Sequence, residues 1–262
     1  MKYTKNNLSI YLLKTAVILP HNDDEFFISP ILHHLRKDTV FIFLTHGSAW
    51  STGKSNIRKQ ESLKFVSQHG FSDRNIINLG ETIDIKDGNL FNHIRIATSR
   101  LDEIMVQLNI ESLFVTAYEG GHHDHDVAFV VANSLAAKFN VPLFDFPLYN
   151  ANRTSFFRVM DNQNIQCCTY KKKHCYKSKL SFRIQLLSRV LIYRSQWKTF
   201  LGLLPGLVRN FLFKENFIIG EVESLLLHKR PHEGPLFYEK RFNMRFENII
   251  KSIEENIIEE KS

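Results

Sequence analysis

Three cysteines in 262 residues are too few for a disulfide framework, so the chain is expected in a reducing cytoplasm. Long hydrophobic runs are missing too: no stretch approaches the ~20 unbroken apolar residues of a membrane span. Residues 1–13 mix Lys and Asn with a short apolar patch, without the hydrophobic run and small-residue cleavage site of a signal peptide. Internal repeats and low-complexity segments are absent. Acidic residues are in the minority, giving a net charge of +7. That excess points only weakly to an anionic or surface-bound partner, because scattered lysine is usually a solvated face. The basic run Lys171-Lys172-Lys173-His174 has no interleaved aromatic recognition pattern, so no nucleic-acid partner is expected.

What is present is an ordinary globular composition, 44% apolar and 23% charged, rich in Phe. Short apolar runs alternate with amphipathic ones over residues 14–146. Strands are expected at Lys14–Leu19, Thr39–Thr45, Asn75–Leu79, Ser112–Ala117 and Val141–Phe146. Helices are expected at Phe26–Arg36, Asn56–His69, Leu90–Leu108 and Val127–Phe139. The alternation implies an α/β fold: a Rossmann-like, mostly parallel sheet flanked by helices. After Pro147 the pattern changes to a C-terminal α+β extension. It reads as a hairpin of Ser155–Met160 with Ile165–Lys171, a helix over Leu180–Leu201 and a last helix over Asn243–Glu260. The organisation expected is a core over residues 1–150, with residues 151–262 packed on the same domain.

Two polar turns carry the chemistry. His21-Asn22-Asp23-Asp24-Glu25 follows the first strand, and Glu119-Gly120-Gly121-His122-His123-Asp124-His125-Asp126 follows the fourth. Open α/β sheets place ligands at the carboxyl ends of their strands, so the sheet can bring the two turns together. A catalytic zinc site takes three protein ligands from His, Asp, Glu or Cys and leaves a position for water. The ion lowers the pKa of that water from ~16 towards ~7. Asp23 is then a spare carboxylate beside the ligands, able to take the proton. His122 is a spare imidazole, able to donate to an oxyanion or a leaving amine. Gly47-Ser48-Ala49-Trp50-Ser51-Thr52-Gly53-Lys54-Ser55 imitates a phosphate-binding loop but has five residues between its glycines where four are needed. Cys167 and Cys168, adjacent on an expected strand, point to opposite faces and do not suggest a second metal.

The first turn resembles the His-Pro-Asp-Asp-Glu motif of the PIG-L/LmbE-like deacetylases, and Gly121-His122-His123-Asp124-His125 resembles their second motif, His-x-x-His after a Gly. Thr45-His46-Gly47, Arg58-Lys59-Gln60-Glu61, Asp87-Gly88-Asn89-Leu90 and Tyr193-Arg194-Ser195-Gln196 match further family patterns in the expected order. Asn22 and His123 replace the prolines that stiffen both turns in the family. The resemblance implies a metal-dependent hydrolase that removes the acetyl group of an N-acetylglucosamine-type amino sugar or its conjugate. By it His21, Asp24 and His125 hold Zn²⁺ (Fe²⁺ would suit the set too), Asp23 is the base and His122 the oxyanion or leaving-group partner. Asp124 and Glu25 are supporting residues, and Arg58 and Asp87 contact substrate. A rival metal pairing through His123 stays open. So do two other functions: an amidase acting on a non-sugar amide, and a non-catalytic protein that binds a sugar or a membrane surface. The basic C-terminal third, with apolar Leu and Phe around Arg183, Arg189, Lys198, Arg209 and Lys214, suits peripheral contact with an anionic membrane.

Overall fold

The computed structural model describes residues 9–47, 52–150, 158–161 and 165–257. Its centre is β1, Thr15–Leu19, every residue of which is buried. Ala16 and Ile18 enter the apolar cluster on one face of the sheet, and Val17 and Leu19 enter the cluster on the other. Burial on both faces is why the strand reads as an unbroken apolar run and not an alternating one. β1 pairs in parallel with β2 (Val40–Phe43) and β4 (Ser112–Thr116). β2 pairs with β3 (Ile76–Asn78), and β4 with β5 (Leu143–Phe146). The intervening helices are α1 (Thr52–Ser67), the single turn α2 (Leu79–Thr82), α3 (Ile94–Leu108) and α4 (His123–Phe139). The strand order β3-β2-β1-β4-β5 reverses between β1 and β4. That reversal opens a crevice above their carboxyl ends, where a doubly wound sheet takes its ligand.

The C-terminal third departs from the expected pattern. The expected hairpin of Ser155–Met160 with Ile165–Lys171 falls partly on residues 151–157 and 162–164, which lie outside the described ones. The short β7 (Arg158–Val159) pairs with β6 (Tyr149–Asn150). β8 (Cys168–Lys177) pairs with β9 (Asn216–Leu225), and both extend the main sheet antiparallel beyond β5. Alternation marks a strand but not its partner, and β9 lies outside every strand expected from the sequence. β8 forms the sheet edge and points a row of lysines outward, which discourages further strand pairing.

The helix expected over Phe26–Arg36 is instead a chain of tight turns, with 3₁₀ segments at Asp24–Phe26 and Leu32–His34. Pro30 lies between them, lacking an N–H and clashing with the preceding helical turn. The expected helix over Leu180–Leu201 is also broken. α5 (Leu180–Ser188) ends in 3₁₀ turns, and α6 (Trp197–Val208) starts afresh. At the break Tyr193 and Ser195 are pulled inward to bond Glu25 and Glu61. α7 (Phe237–Phe242) and α8 (Phe246–Ile257) close the chain. Among the described residues no helix is long and apolar enough to cross a membrane.

Candidate active site

The turn after β1 is held in an uncommon shape. Asp23 has φ 114°, a left-handed conformation that L-residues rarely adopt. Its amide donates to Glu25 Oε2 at 2.8 Å, and Glu25 Oε1 accepts the buried Tyr193 hydroxyl at 2.8 Å. The amide of His21 donates to Asp24 Oδ2 at 2.8 Å. Both ends of the bend are therefore pinned by buried carboxylates.

The turn after β4 is pinned likewise. Asp126 Oδ1 accepts the amides of Glu119 and Gly120, both at 3.1 Å. Glu119 accepts the amides of Leu148 and Tyr149 at 2.7 and 2.8 Å and the Asn150 side chain at 3.0 Å. Burial pushes both carboxyls up, Glu119 to about 8 and Asp126 to about 7, against the pull of these donors. The backbone passes so close that a Cβ on Gly121 would lie 2.1 Å from the Tyr149 carbonyl oxygen. Gly121→Ala is expected to lower unfolding stability by about 1–3 kcal/mol, as overpacking does, measurable as a fall in the urea midpoint.

Together the two turns bring His21, Asp24 and His125 into one group whose candidate ligand atoms lie within 4.8 Å of one another, all three residues buried. His122 and Asp124 form a second such group with His21. His125 reports what the first group suits. It is 1% exposed, and neither ring nitrogen makes a hydrogen bond, although Nε2 lies 3.2 Å from Asp24 Oδ1. A buried polar atom left unpaired is costly, whereas two imidazoles and a carboxylate aimed at one point are a donor set for a divalent ion of the zinc type. His21 Nε2 donates to Asp124 Oδ2 at 2.9 Å, which leaves Nδ1, 3.5 Å from Asp24, as the ring nitrogen on the side of the group. Asp124 also accepts the amides of Gly88 and Leu90. Burial would raise Asp24 and Asp124, but His125 and His21 beside the one, and His21 and His122 beside the other, hold both far below the usual carboxylate range.

Two further groups flank this set. Burial pushes Asp23 up to about 8, opposed by the Arg58 guanidinium. His122 caps α4: its Nδ1 accepts the Asp124 amide at 3.1 Å, which puts the ring proton on Nε2. Burial and the neighbouring His21 hold this imidazole well below its ordinary value, hence neutral. Both residues line a cleft of about 210 Å³, walled also by Tyr149, Phe200, Phe237 and Arg241.

Residues 16–136 match the PIG-L family, described as GlcNAc-PI de-N-acetylase. The matched stretch runs from β1 into α4 and carries both polar turns. Solved structures agree on the fold. The zinc-inhibited form of the teicoplanin deacetylase Orf2 is similar with a TM-score of 0.60 and 13% identity, over 80% of this chain and 98% of that one. The A40926 pseudoaglycone deacetylase Dbv21 gives 0.55 and 12%, over 85% and 99%. The conserved protein TT1542 from Thermus thermophilus gives 0.51 and 21%, over 81% and 94%. No sequence match emerges among curated proteins.

Within this core the second motif lies differently from the loop expected of it. The helix begins at His123, not Val127, so His125 sits on its first turn. His123 turns away from the group and bonds the Gly88 carbonyl through Nε2 at 2.9 Å. Arg58 and Asp87 both line the cleft, but they bind each other at 2.6 Å. Arg58 also reaches the carbonyls of Asn22 and Gly47 and the Asp23 carboxylate, so all five of its N–H groups are engaged. It ties the loops after β1, β2 and β3 together, and its partner is not Glu61, which accepts from Ser195. Glu119, Asp126 and Tyr149 went unread as parts of the site. Nothing in residue type sets the two carboxylates apart from Asp124, and only the backbone amides pointing at them reveal anchors.

Proposed function

We propose that this chain is a metal-dependent N-deacetylase of the PIG-L type that removes the acetyl group of an N-acetylglucosamine-type amino sugar or its conjugate. The observation that carries the reading is the buried convergence of His21, Asp24 and His125 with Asp23 and His122 on either side in one cleft. A divalent ion bound by that set would polarise the amide carbonyl and acidify a water. Asp23 takes the proton of the water whose oxygen bonds to the acetyl carbon. Arg58 holds Asp23 through Oδ1 at 3.2 Å, and Oδ2 accepts no hydrogen bond among the described residues, so it is the oxygen open to the water. His122 Nε2–H donates to the carbonyl oxygen as it gains charge, its tautomer fixed by the Asp124 amide. When the C–N bond breaks, Asp23 returns the proton to the nitrogen, leaving a free amine and acetate. Raised by burial, Asp23 both accepts and returns a proton near neutral pH.

The family's own description, GlcNAc-PI de-N-acetylase, and the neighbours named as deacetylases support the acetamide as the bond broken. The test is acetate release by metal-reconstituted protein from a panel of N-acetylated sugars and non-sugar amides. Hydrolysis of the sugars alone supports the reading, and release from non-sugar amides alone overturns it. Zn²⁺ is titrated and compared with Fe²⁺, since one neighbour is described in a zinc-inhibited form.

Asp124 is read as the residue that orients His21. In Asp124→Asn, one amide of Gly88 or Leu90 would face the new side-chain NH₂, donor against donor. The expected result is metal affinity weakened by about 10–100-fold, measured by chelator competition.

A further inference from the structure

The positive charge of this chain is segregated. From residue 162 to 214 there are eleven Lys or Arg and no Asp or Glu, while the remaining 23 basic residues are outnumbered by 27 acidic ones. The same block carries an exposed apolar surface. Leu191, Trp197 and Leu201 are 78%, 56% and 58% exposed, and Leu204 joins them. Trp197, Leu201 and Leu204 stand at i, i+4 and i+7, hence on one side of α6. With Leu191 and Arg194 they line an apolar hollow of about 440 Å³. The opposite side of α6 is a wall of the active-site cleft: Lys198, Thr199 and Leu203 line the cleft, and Phe200 lines both cleft and hollow. Lys198 Nζ stands 5.7 Å from the Trp197 ring centroid.

We propose that this surface, centred on Leu191, Trp197 and Leu201, docks on an anionic phospholipid bilayer and sets the cleft mouth at the lipid headgroups. Apolar side chains entering the interface, a tryptophan at headgroup depth and basic residues around them are the parts of an interfacial helix. The charge selects this occupant: a second copy would press two acid-free basic blocks against each other. Docking goes beyond the deacetylase reading and fails or stands separately from it.

The experiment is co-sedimentation of the full chain with vesicles of phosphatidylcholine alone and with one-third phosphatidylglycerol. Binding at least tenfold stronger to the anionic vesicles is expected, falling steeply in 0.5 M salt. In a Trp50→Phe background the emission of Trp197 should shift to the blue on binding. Leu191→Glu/Leu201→Glu and Arg194→Glu should each cut binding at least tenfold, with acetate release from a soluble substrate unchanged for the first. The proposal is overturned by equal binding to neutral vesicles, by binding that these substitutions leave intact, or by none. It is also overturned by a concentration-dependent dimer in sedimentation velocity that Leu191→Glu/Leu201→Glu abolishes.

Discussion

Asp23→Asn is expected to keep its metal and lose turnover by about 10²–10⁴-fold, the usual contribution of a positioned general base. The substitution preserves shape: the amide oxygen still accepts from Arg58, which holds Asp23 Oδ1 at 3.2 Å in the wild type. It removes only the capacity to take and return a proton. Since Asp23 lies outside the His21, Asp24 and His125 group, the metal content by elemental analysis should match wild type. The pH profile adds a second readout. A base must be deprotonated to act, so wild-type activity rises with pH through the Asp23 pKa. Burial holds that pKa up to about 8, and a nearby cation lowers it. The rising limb should therefore lie below about pH 8 and vanish in Asp23→Asn. Wild-type-like acetate release by the variant would remove Asp23 from the reaction.

The parallel core was open to reading because its strands are buried on both faces, so Thr15–Leu19 and Ser112–Thr116 show as apolar runs closed by polar turns. The site was legible to the same depth, since dense His and Asp after two strands of one sheet have few other uses. Which carboxylate does what was not legible. Glu119, Asp124 and Asp126 lie within eight residues and look alike, yet Glu119 binds the strand after β5, Asp124 binds His21, and Asp126 binds its own turn. Such choices depend on where backbone amides point, which residue type does not encode. Arg58 is the same lesson in reverse. Its spacing to Glu61 suggests a helix-surface ion pair, but folding delivers Asp23 and Asp87, from other loops, to its guanidinium. The breaks in the later helices follow long-range bonds such as Tyr193 to Glu25, 168 residues apart, which no local periodicity records.

Replacing His125 with Ala should abolish metal binding, and with it activity, while leaving the fold standing. Neither ring nitrogen of His125 makes a hydrogen bond, so the loss to folding is that of its 3.2 Å approach to Asp24 and its packing against His21, His122 and Tyr149. Under the proposed ligand set, the loss to the site is one of three protein ligands. Dialysed protein should retain little metal, and added Zn²⁺ should raise the melting temperature of wild type but not of the variant. Two controls locate the ion. His123→Ala should keep the metal, because His123 spends Nε2 on the Gly88 carbonyl. His122→Ala should keep it too and lose turnover, because Nδ1 is occupied by the Asp124 amide and the role proposed for Nε2 is to donate to the carbonyl oxygen. The alternative group of His21, His122 and Asp124 makes the opposite forecast. Metal lost in His122→Ala and retained in His125→Ala would move the ion to that group and take Asp124 away from its hold on His21.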